Sequence, residues 1–306
     1  MLEGISNFLA ADIRTATAIM IAGLGLVFSE KSGVVNIGAE GMMLTGALMG
    51  VVGSWQTGSV WGGVLIAALS GAVIALVFAY LTITVKADQV VVGTAINILG
   101  LGLTTTLSRV LFGLNTAPPK ISSFSPIEIP ILSKIPVLGQ SLFHQPFPVY
   151  AALVIVPIAY FVMFKTDLGL KIRAVGEHPK ACDTVGINVY KIRYGTVIYS
   201  GLLCGFAGSF VSLGLLSFFT ENMVAGRGFM ALAAVVFGNY NPFGVMGASL
   251  LFGAGEALQY RLQAAGTNIP FQFLLMVPYV LTILALAGFI GKSQKPTAGG
   301  VPYSKE

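Results

Sequence analysis

The sequence predicts an all-α, polytopic integral membrane protein with about eight to ten transmembrane helices. Hydrophobic residues make up 55% of its 306 residues and charged residues only 9%, whereas soluble globular proteins carry about 25% charged residues. A hydrocarbon core about 30 Å thick needs roughly 20 apolar residues for each helical span. We therefore expect a single transmembrane domain over residues 1–306 that is surrounded by membrane lipid.

Nine apolar runs supply the predicted spans, at about 14–29, 38–56, 61–85, 88–113, 148–165, 194–217, 225–240, 243–262 and 269–290. The runs at 14–29 and 225–240 are short and rich in glycine. Such segments are typical of broken or half-spanning helices that are packed inside protein. No small-residue cleavage site follows the first run, so we expect it to be retained rather than removed as a signal peptide.

Basic residues predict the orientation in the membrane, because positively charged loops stay in the cytoplasm. The segment 166–193 and its border hold six of them: Lys165, Lys171, Arg173, Lys180, Lys191 and Arg193. This loop is therefore expected to be cytoplasmic, together with the C-terminal lysines Lys292, Lys295 and Lys305. The connection 114–147 and the N-terminus are expected outside. The net charge of +5 thus marks membrane topology, and we expect no nucleic-acid partner.

An internal repeat is expected between the two halves of the chain, about 14–113 and 194–290. GAEGMMLTGA at 38–47 aligns with AGRGFMALAA at 225–234. Copies displaced by five spans, an odd number, enter the membrane from opposite sides, which is the inverted repeat of many transporters. The alternative is a chance match between two glycine-rich segments, since most identities are glycine or alanine.

Glu40 and Arg227 occupy equivalent places in the two repeats. An ionisable group at membrane depth indicates a transport pathway or a paired contact. The alternative places both at the membrane interface, with Arg227 extended to water and Glu40 capping the helix that begins near Gly38. Both interpretations stay open at the level of sequence.

Three further polar residues, Asn36, Asn97 and Glu256, lie in or beside apolar runs. They can bind a polar substrate or bond to another helix, and helix–helix bonding is favoured. Glycines four residues apart, Gly46 with Gly50 and Gly201 with Gly205, indicate close helix packing.

The sequence holds no arrangement typical of catalysis. No His, Cys and carboxylate residues show metal-ligand spacing, and no nucleophile with its base is recognisable. Cys182 and Cys204 are expected to be unpaired structural residues. Gly291-Lys292-Ser293 imitates the end of a nucleotide-binding loop, but position 286 is leucine where that motif needs glycine. We expect neither an enzyme nor a metal or cofactor site in this chain.

The basic loop contains a predicted short helix of about two turns. Glu177-His178-Pro179-Lys180 marks its start, with proline in the first turn, and Gly186 marks its end. A rigid element of this kind can contact a partner and pass movement to the membrane helices. The alternative is a solvated loop or one bound to lipid headgroups.

Two segments resemble the permease subunits of ABC importers, in the nucleoside branch of the ribose and branched-chain amino-acid permease family. They are SEKSGVVNIGAEGMMLTGA at 29–47 and GLKIRAVGEHPKACDTVGINVYKIRYGTVIYSGLLCGFAG at 169–208. The resemblance implies a place in the bacterial cytoplasmic membrane and three kinds of partner: a second homologous permease, a cytoplasmic ATPase that binds the ATP, and an extracytoplasmic substrate-binding lipoprotein.

The same resemblance implies roles for individual residues. It assigns Arg173, Gly176, Glu177, Ala181 and Gly186 to the ATPase contact. The substrate pathway is expected to include Asn36, Glu40, Asn97 and Arg227.

Alternatives differ in cargo or in class. A sugar such as ribose or a branched-chain amino acid is the alternative cargo. An ion-coupled secondary transporter would also fit an inverted repeat, and a membrane-embedded enzyme or scaffold is the alternative of another class.

Overall fold

Helices form almost all of the described structure, as the apolar composition predicts. The computed structural model describes residues 2–113, 121–128, 138–265, 272–274, 276–278, 280 and 295–304. Within them lie α1 (Leu2–Lys31), α2 (Ala39–Thr57), α3 (Val60–Ala79), α4 (Gln89–Phe112), α5 (Leu138–Leu142), α6 (Phe147–Lys165), α7 (Asp167–Glu177), α8 (Pro179–Thr184), α9 (Val189–Phe210), α10 (Arg227–Phe237) and α11 (Pro242–Ala264). Wider π-helical turns extend α3 to Thr84 and α9 to Leu216.

Five helical segments are long and apolar enough to cross a membrane: Glu3–Lys31, Val60–Thr84, Gln89–Phe112, Phe147–Lys165 and Val189–Leu216. A helix in lipid satisfies its backbone hydrogen bonds within itself. The chain is therefore an all-α, multi-pass membrane protein, as predicted. The ninth predicted span, 269–290, lies mostly outside the described residues, and so does Gly291-Lys292-Ser293.

The first span differs from its prediction. The run 14–29 was expected to be a short, broken helix, but α1 is continuous over 30 residues. Its glycines serve close packing instead of breaking the helix: a Cβ at Gly25 would lie 3.1 Å from the Ser200 backbone in α9. The expectation for 225–240 is confirmed, since α10 has only 11 residues.

Burial separates central helices from peripheral ones. In the apolar part of α1, 83% of the residues are buried, against 28% in α4 and 33% in α3. Large apolar side chains such as Leu65, Val73 and Ile98 are exposed on the peripheral helices. In water such a surface would be unstable. It suits contact with lipid or with another membrane protein.

Glycines make the closest contacts between the central helices, as predicted. A Cβ at Gly46 in α2 would lie 2.5 Å from the carbonyl oxygen of Gly205 in α9, and one at Gly201 would lie 2.6 Å from that of Gly71 in α3. Side chains cannot be added at these positions without moving a backbone. Both cysteines, Cys182 and Cys204, are buried and unpaired, also as predicted.

The two ends of the helix bundle carry different structures. At one end, β1 (Pro126–Glu128) pairs antiparallel with β2 (His144–Pro146), and Arg14 of α1 donates to the Gln145 side-chain oxygen at 2.7 Å. At the other end, α7 and α8 lie beside residues 295–304. The N-terminal part of α1 and the basic loop therefore lie at opposite ends.

Candidate functional site

One carboxylate, that of Glu40, joins the first turns of α2 and α10. Its Oε1 accepts a hydrogen bond from the backbone N–H of Gly226 and its Oε2 accepts one from Gly228, each at 2.7 Å. The first N–H groups of a helix lack intrahelical partners and carry partial positive charge. Glu40 therefore caps α10. The alternative in which it caps its own helix is wrong: Glu40 lies in the first turn of α2, but no side-chain hydrogen bond caps that helix, and both of its oxygens accept from the start of α10.

Asn97 of α4 holds the start of α2 instead. Its Oδ1 accepts from the Gly41 N–H at 2.9 Å, and its Nδ2 donates to the Ile37 carbonyl at 3.0 Å. Asn36 is fully buried, and its Nδ2 donates to the Ser200 hydroxyl of α9 at 3.2 Å. The favoured interpretation as a helix–helix bond is confirmed for Asn97. Asn36 lies in the turn before α2 and joins that turn to α9, while its own Oδ1 has no partner among the described residues.

Arg227, the first residue of α10, is buried with only 7% of its surface exposed. Its Nη2 donates to Glu256 Oε2 and to the Tyr260 hydroxyl of α11, both at 3.1 Å. Its Nη1 donates to the carbonyls of Met223 and Val224. The alternative in which Arg227 extends to water is wrong, because Glu256 supplies a countercharge inside the bundle, as a buried charge requires.

A cavity of about 1150 Å³ opens beside this ion pair. Polar residues in its lining are Asn7, Arg14, Thr15, Glu128, His144, Thr220, Arg227, Glu256, Gln259, Tyr260 and Gln263. Apolar residues share the wall, including Leu215 and Met230. Binding sites for small molecules combine apolar walls with a few convergent polar groups in the same way.

Two residues of the cavity wall, Arg227 and Gln263, each carry a buried donor, Nε and Nε2, that has no hydrogen-bond partner among the described residues. An unmet buried donor is unfavourable by about 1–3 kcal/mol. Both atoms are closed to solvent in this conformation, so a ligand in the cavity would reach them only after a side-chain movement. The chemistry offered is hydrogen bonding to a polar molecule, with two carboxylates and two guanidinium groups in the lining.

Of the α11 residues in the cavity wall, Glu256 was named from the sequence as able to bind a polar substrate or another helix, whereas Gln259, Tyr260 and Gln263 were missed. Glu256, Gln259, Tyr260 and Gln263 are spaced i, i+3, i+4 and i+7, so they share one face of a helix. This polar stripe within an apolar run was the available signal. Of the four predicted pathway residues, only Arg227 is among the residues that line the cavity. Glu40 caps α10, the helix that begins with Arg227, Asn97 joins α4 to the start of α2, and Asn36 joins the turn before α2 to α9.

The predicted helix of the basic loop is confirmed as α8. Pro179 is its first residue, and Gly186 follows it with a left-handed φ of +85°, a conformation suited to glycine. Glu177 differs from its prediction, because it ends α7 instead of starting α8. Ala181 and Gly186 are exposed, whereas Arg173 stacks over the Phe164 ring at 5.2 Å.

Gly176 and Glu177 contact other parts of the same chain. Gly176 is buried against the Lys31 carbonyl at the end of α1. The Glu177 carboxylate accepts from the hydroxyl of Thr297 at 2.6 Å and from its backbone N–H at 3.2 Å. The hydrogen bond from the Thr297 hydroxyl lowers the pKa of Glu177 below its ordinary value. The five predicted ATPase-contact residues therefore divide into two groups. Ala181 and Gly186 are exposed, whereas Arg173, Gly176 and Glu177 contact other parts of the same chain.

Comparison with known proteins then decides the family. Residues 8–286 match the family described as branched-chain amino acid transport system / permease component. The chain belongs to this family. As a permease component it serves membrane transport and is not an enzyme, as predicted.

Three relatives are similar to the permease over nearly its whole length. NupQ of Bacillus subtilis (strain 168), a guanosine ABC transporter permease protein, is 42% identical over 98% of this chain and 97% of its own. NupC of Lactococcus lactis subsp. cremoris (strain MG1363), a nucleoside ABC transporter permease protein, is 40% identical over 95% and 94%. TsgC13 of Haloferax volcanii, a permease protein provisionally named for glucose, is 36% identical over 92% and 91%.

Proposed function

We propose that this permease forms part of the translocation path of an ABC importer for nucleosides in the bacterial cytoplasmic membrane. Two relatives named for guanosine or nucleosides, 42% and 40% identical over nearly the full length, support the cargo. The proposed partners are a second homologous permease, a cytoplasmic ATPase that binds the ATP, and an extracytoplasmic lipoprotein that delivers the substrate.

The cavity beside Arg227 and Glu256 is the observation that carries the proposal. Its volume of about 1150 Å³ exceeds the roughly 300–1,000 Å³ typical of small-molecule sites, so a nucleoside fits with water. A nucleoside presents an apolar base face with acceptor and donor edges, and a sugar with hydroxyl groups. The polar side chains of the lining, among them Arg227, Tyr260 and Gln263, suit these groups.

The predicted inverted repeat would supply the proposed movement. Residue 40 and residue 227, aligned in the two halves 14–113 and 194–290, both lie in the first turn of a helix, and these helices touch. Rocking of one half against the other at this contact would expose the cavity alternately to each side of the membrane. Backbone strain lies at the same place, since Asn222 and Ala225 are left-handed.

A sugar is the second candidate cargo, because one relative at 36% identity is provisionally named for glucose. The polar lining that would bind the ribose of a nucleoside would also bind free sugar hydroxyls. Competition separates the two: excess unlabelled ribose or glucose would suppress uptake only if sugars are the cargo.

The test is uptake of labelled nucleosides into proteoliposomes that contain the complete complex, with and without ATP. We expect ATP-dependent uptake, and a loss of at least about fivefold in Gln263→Leu, because the substitution removes a polar amide from the cavity wall. Gly247→Ala on the same helix is the matched control, since its added Cβ meets nothing within 4 Å. Uptake driven by an ion gradient and indifferent to ATP would contradict the proposal.

A further inference from the structure

Residues 295–304, called the 295–304 segment below, connect the end of α7 to the turn between α1 and α2. The Ala298 N–H donates to the Gly176 carbonyl at 2.9 Å, and the Gly300 N–H donates to the Gly33 carbonyl at 3.1 Å. Two elements distant in sequence, near residues 33 and 176, are thereby held by one short piece of chain.

A side-chain contact strengthens the link at the junction of α7 and α8. Glu177 is the last residue of α7, and α8 begins two residues later. Its carboxylate accepts both hydrogen bonds that Thr297 can donate, from the hydroxyl and from the backbone N–H. Hydrogen bonds to a charged acceptor are stronger than those between neutral groups. A displacement of this junction therefore acts directly on the 295–304 segment.

The segment is also anchored to α9. Arg193, only 1% exposed, donates from Nη1 to the Val301 carbonyl at 3.1 Å and from Nε to the Ser32 carbonyl at 3.2 Å. The Tyr303 ring meets the Tyr190 ring edge-on at 5.5 Å between centroids. Tyr303 completes a small buried cluster with Val175, Cys182 and Val189.

We propose that the 295–304 segment is a positioning element, which carries movement of α7 and α8 to the turn 32–38. That turn leads directly into α2, where Glu40 caps α10 beside the cavity. The route is continuous and made of hydrogen-bonded or packed groups, as mechanical coupling requires. The inference rests on the proposed function, in which an ATPase moves α7 and α8 through the exposed Ala181 and Gly186.

The test uses the complete complex in proteoliposomes and measures nucleoside taken up per ATP hydrolysed. Thr297→Val removes the hydroxyl that bonds Glu177 and keeps the side-chain shape. We expect about fivefold less nucleoside per ATP, the low end of coupling between sites, with subunit recovery and ATP hydrolysis unchanged. Thr297→Ser, which keeps the hydroxyl, should restore the wild-type ratio.

Thr94→Val is the matched control and should leave the ratio unchanged, because Thr94 is exposed and its hydroxyl bonds the Val90 carbonyl within α4, away from α7 and α8. Tyr303→Ala breaks an independent contact of the same segment and should also lower the amount of nucleoside taken up per ATP hydrolysed.

Ratios equal to wild type in Thr297→Val and Tyr303→Ala would overturn the inference. Loss of the ATPase from the purified Thr297→Val complex would also overturn it, since the segment would then serve assembly. Absence of ATP-dependent uptake in the wild-type complex would instead overturn the proposed function and, with it, the inference.

Discussion

Two glutamates perform the same structural task in very different surroundings. Glu40 accepts from the backbone N–H groups of Gly226 and Gly228, far along the chain. Glu177 accepts from the backbone and side chain of Thr297, 120 residues away. Glu40 is only 8% exposed, whereas Glu177 faces water.

The difference shows how burial sets the strength of a charged contact. In a low-dielectric interior, a carboxylate that loses its partners cannot turn to water, so the penalty is large. At a wet surface, water replaces the lost partners and the penalty is small. We therefore expect interior contacts of this permease to determine its stability. The exposed contacts at the end of the bundle that carries α7 and α8 should affect the coupling of ATP hydrolysis to transport, with little effect on stability.

The largest effect is expected for Arg227→Leu, which leaves Glu256 buried without its countercharge. Breaking one side of a buried pair destabilises by about 3–5 kcal/mol, which thermal unfolding in detergent would measure. The double variant Arg227→Leu, Glu256→Leu should recover most of that stability, because apolar side chains replace both charges. Equal stability of the single and double variants would contradict the buried-pair interpretation.

Glu40→Ala should destabilise by about 2–3 kcal/mol, because two N–H groups at the start of α10 lose a charged acceptor. Glu40→Gln keeps one acceptor oxygen and should fall between Glu40→Ala and wild type in the same unfolding measurement. If both variants unfolded like wild type, Glu40 would not be the cap of α10.

The smallest effect is expected for Glu177→Ala, at most about 0.5 kcal/mol once solvent screening is considered. The Thr297 hydrogen bond lowers the pKa of Glu177, so its contribution is present near neutral pH and is lost as pH falls through that lowered pKa. Thermal unfolding at neutral and acidic pH measures this. A loss as large as that in Glu40→Ala would remove the contrast between the two glutamates.

The sequence by itself determined the features that depend on neighbouring residues. Apolar runs predicted the helices, because a span in lipid needs a continuous stretch of apolar side chains. Pro179 and Gly186 marked the start and end of α8, because proline and glycine constrain the backbone at their own positions. The short α10 was predicted from the short, glycine-rich run at 225–240.

Only the tertiary structure decided which distant groups meet. The partners of Glu40 lie nearly 190 residues away in the sequence. The glycines of α1 were compatible with either a helix break or a close helix contact, and packing against α9 decided for the contact. The cavity also depends on packing, since the polar residues of α11 line it together with Arg227, which belongs to a different helix. Local propensity acts over a few residues, whereas burial and charge pairing arise only when packed helices exclude water and lipid.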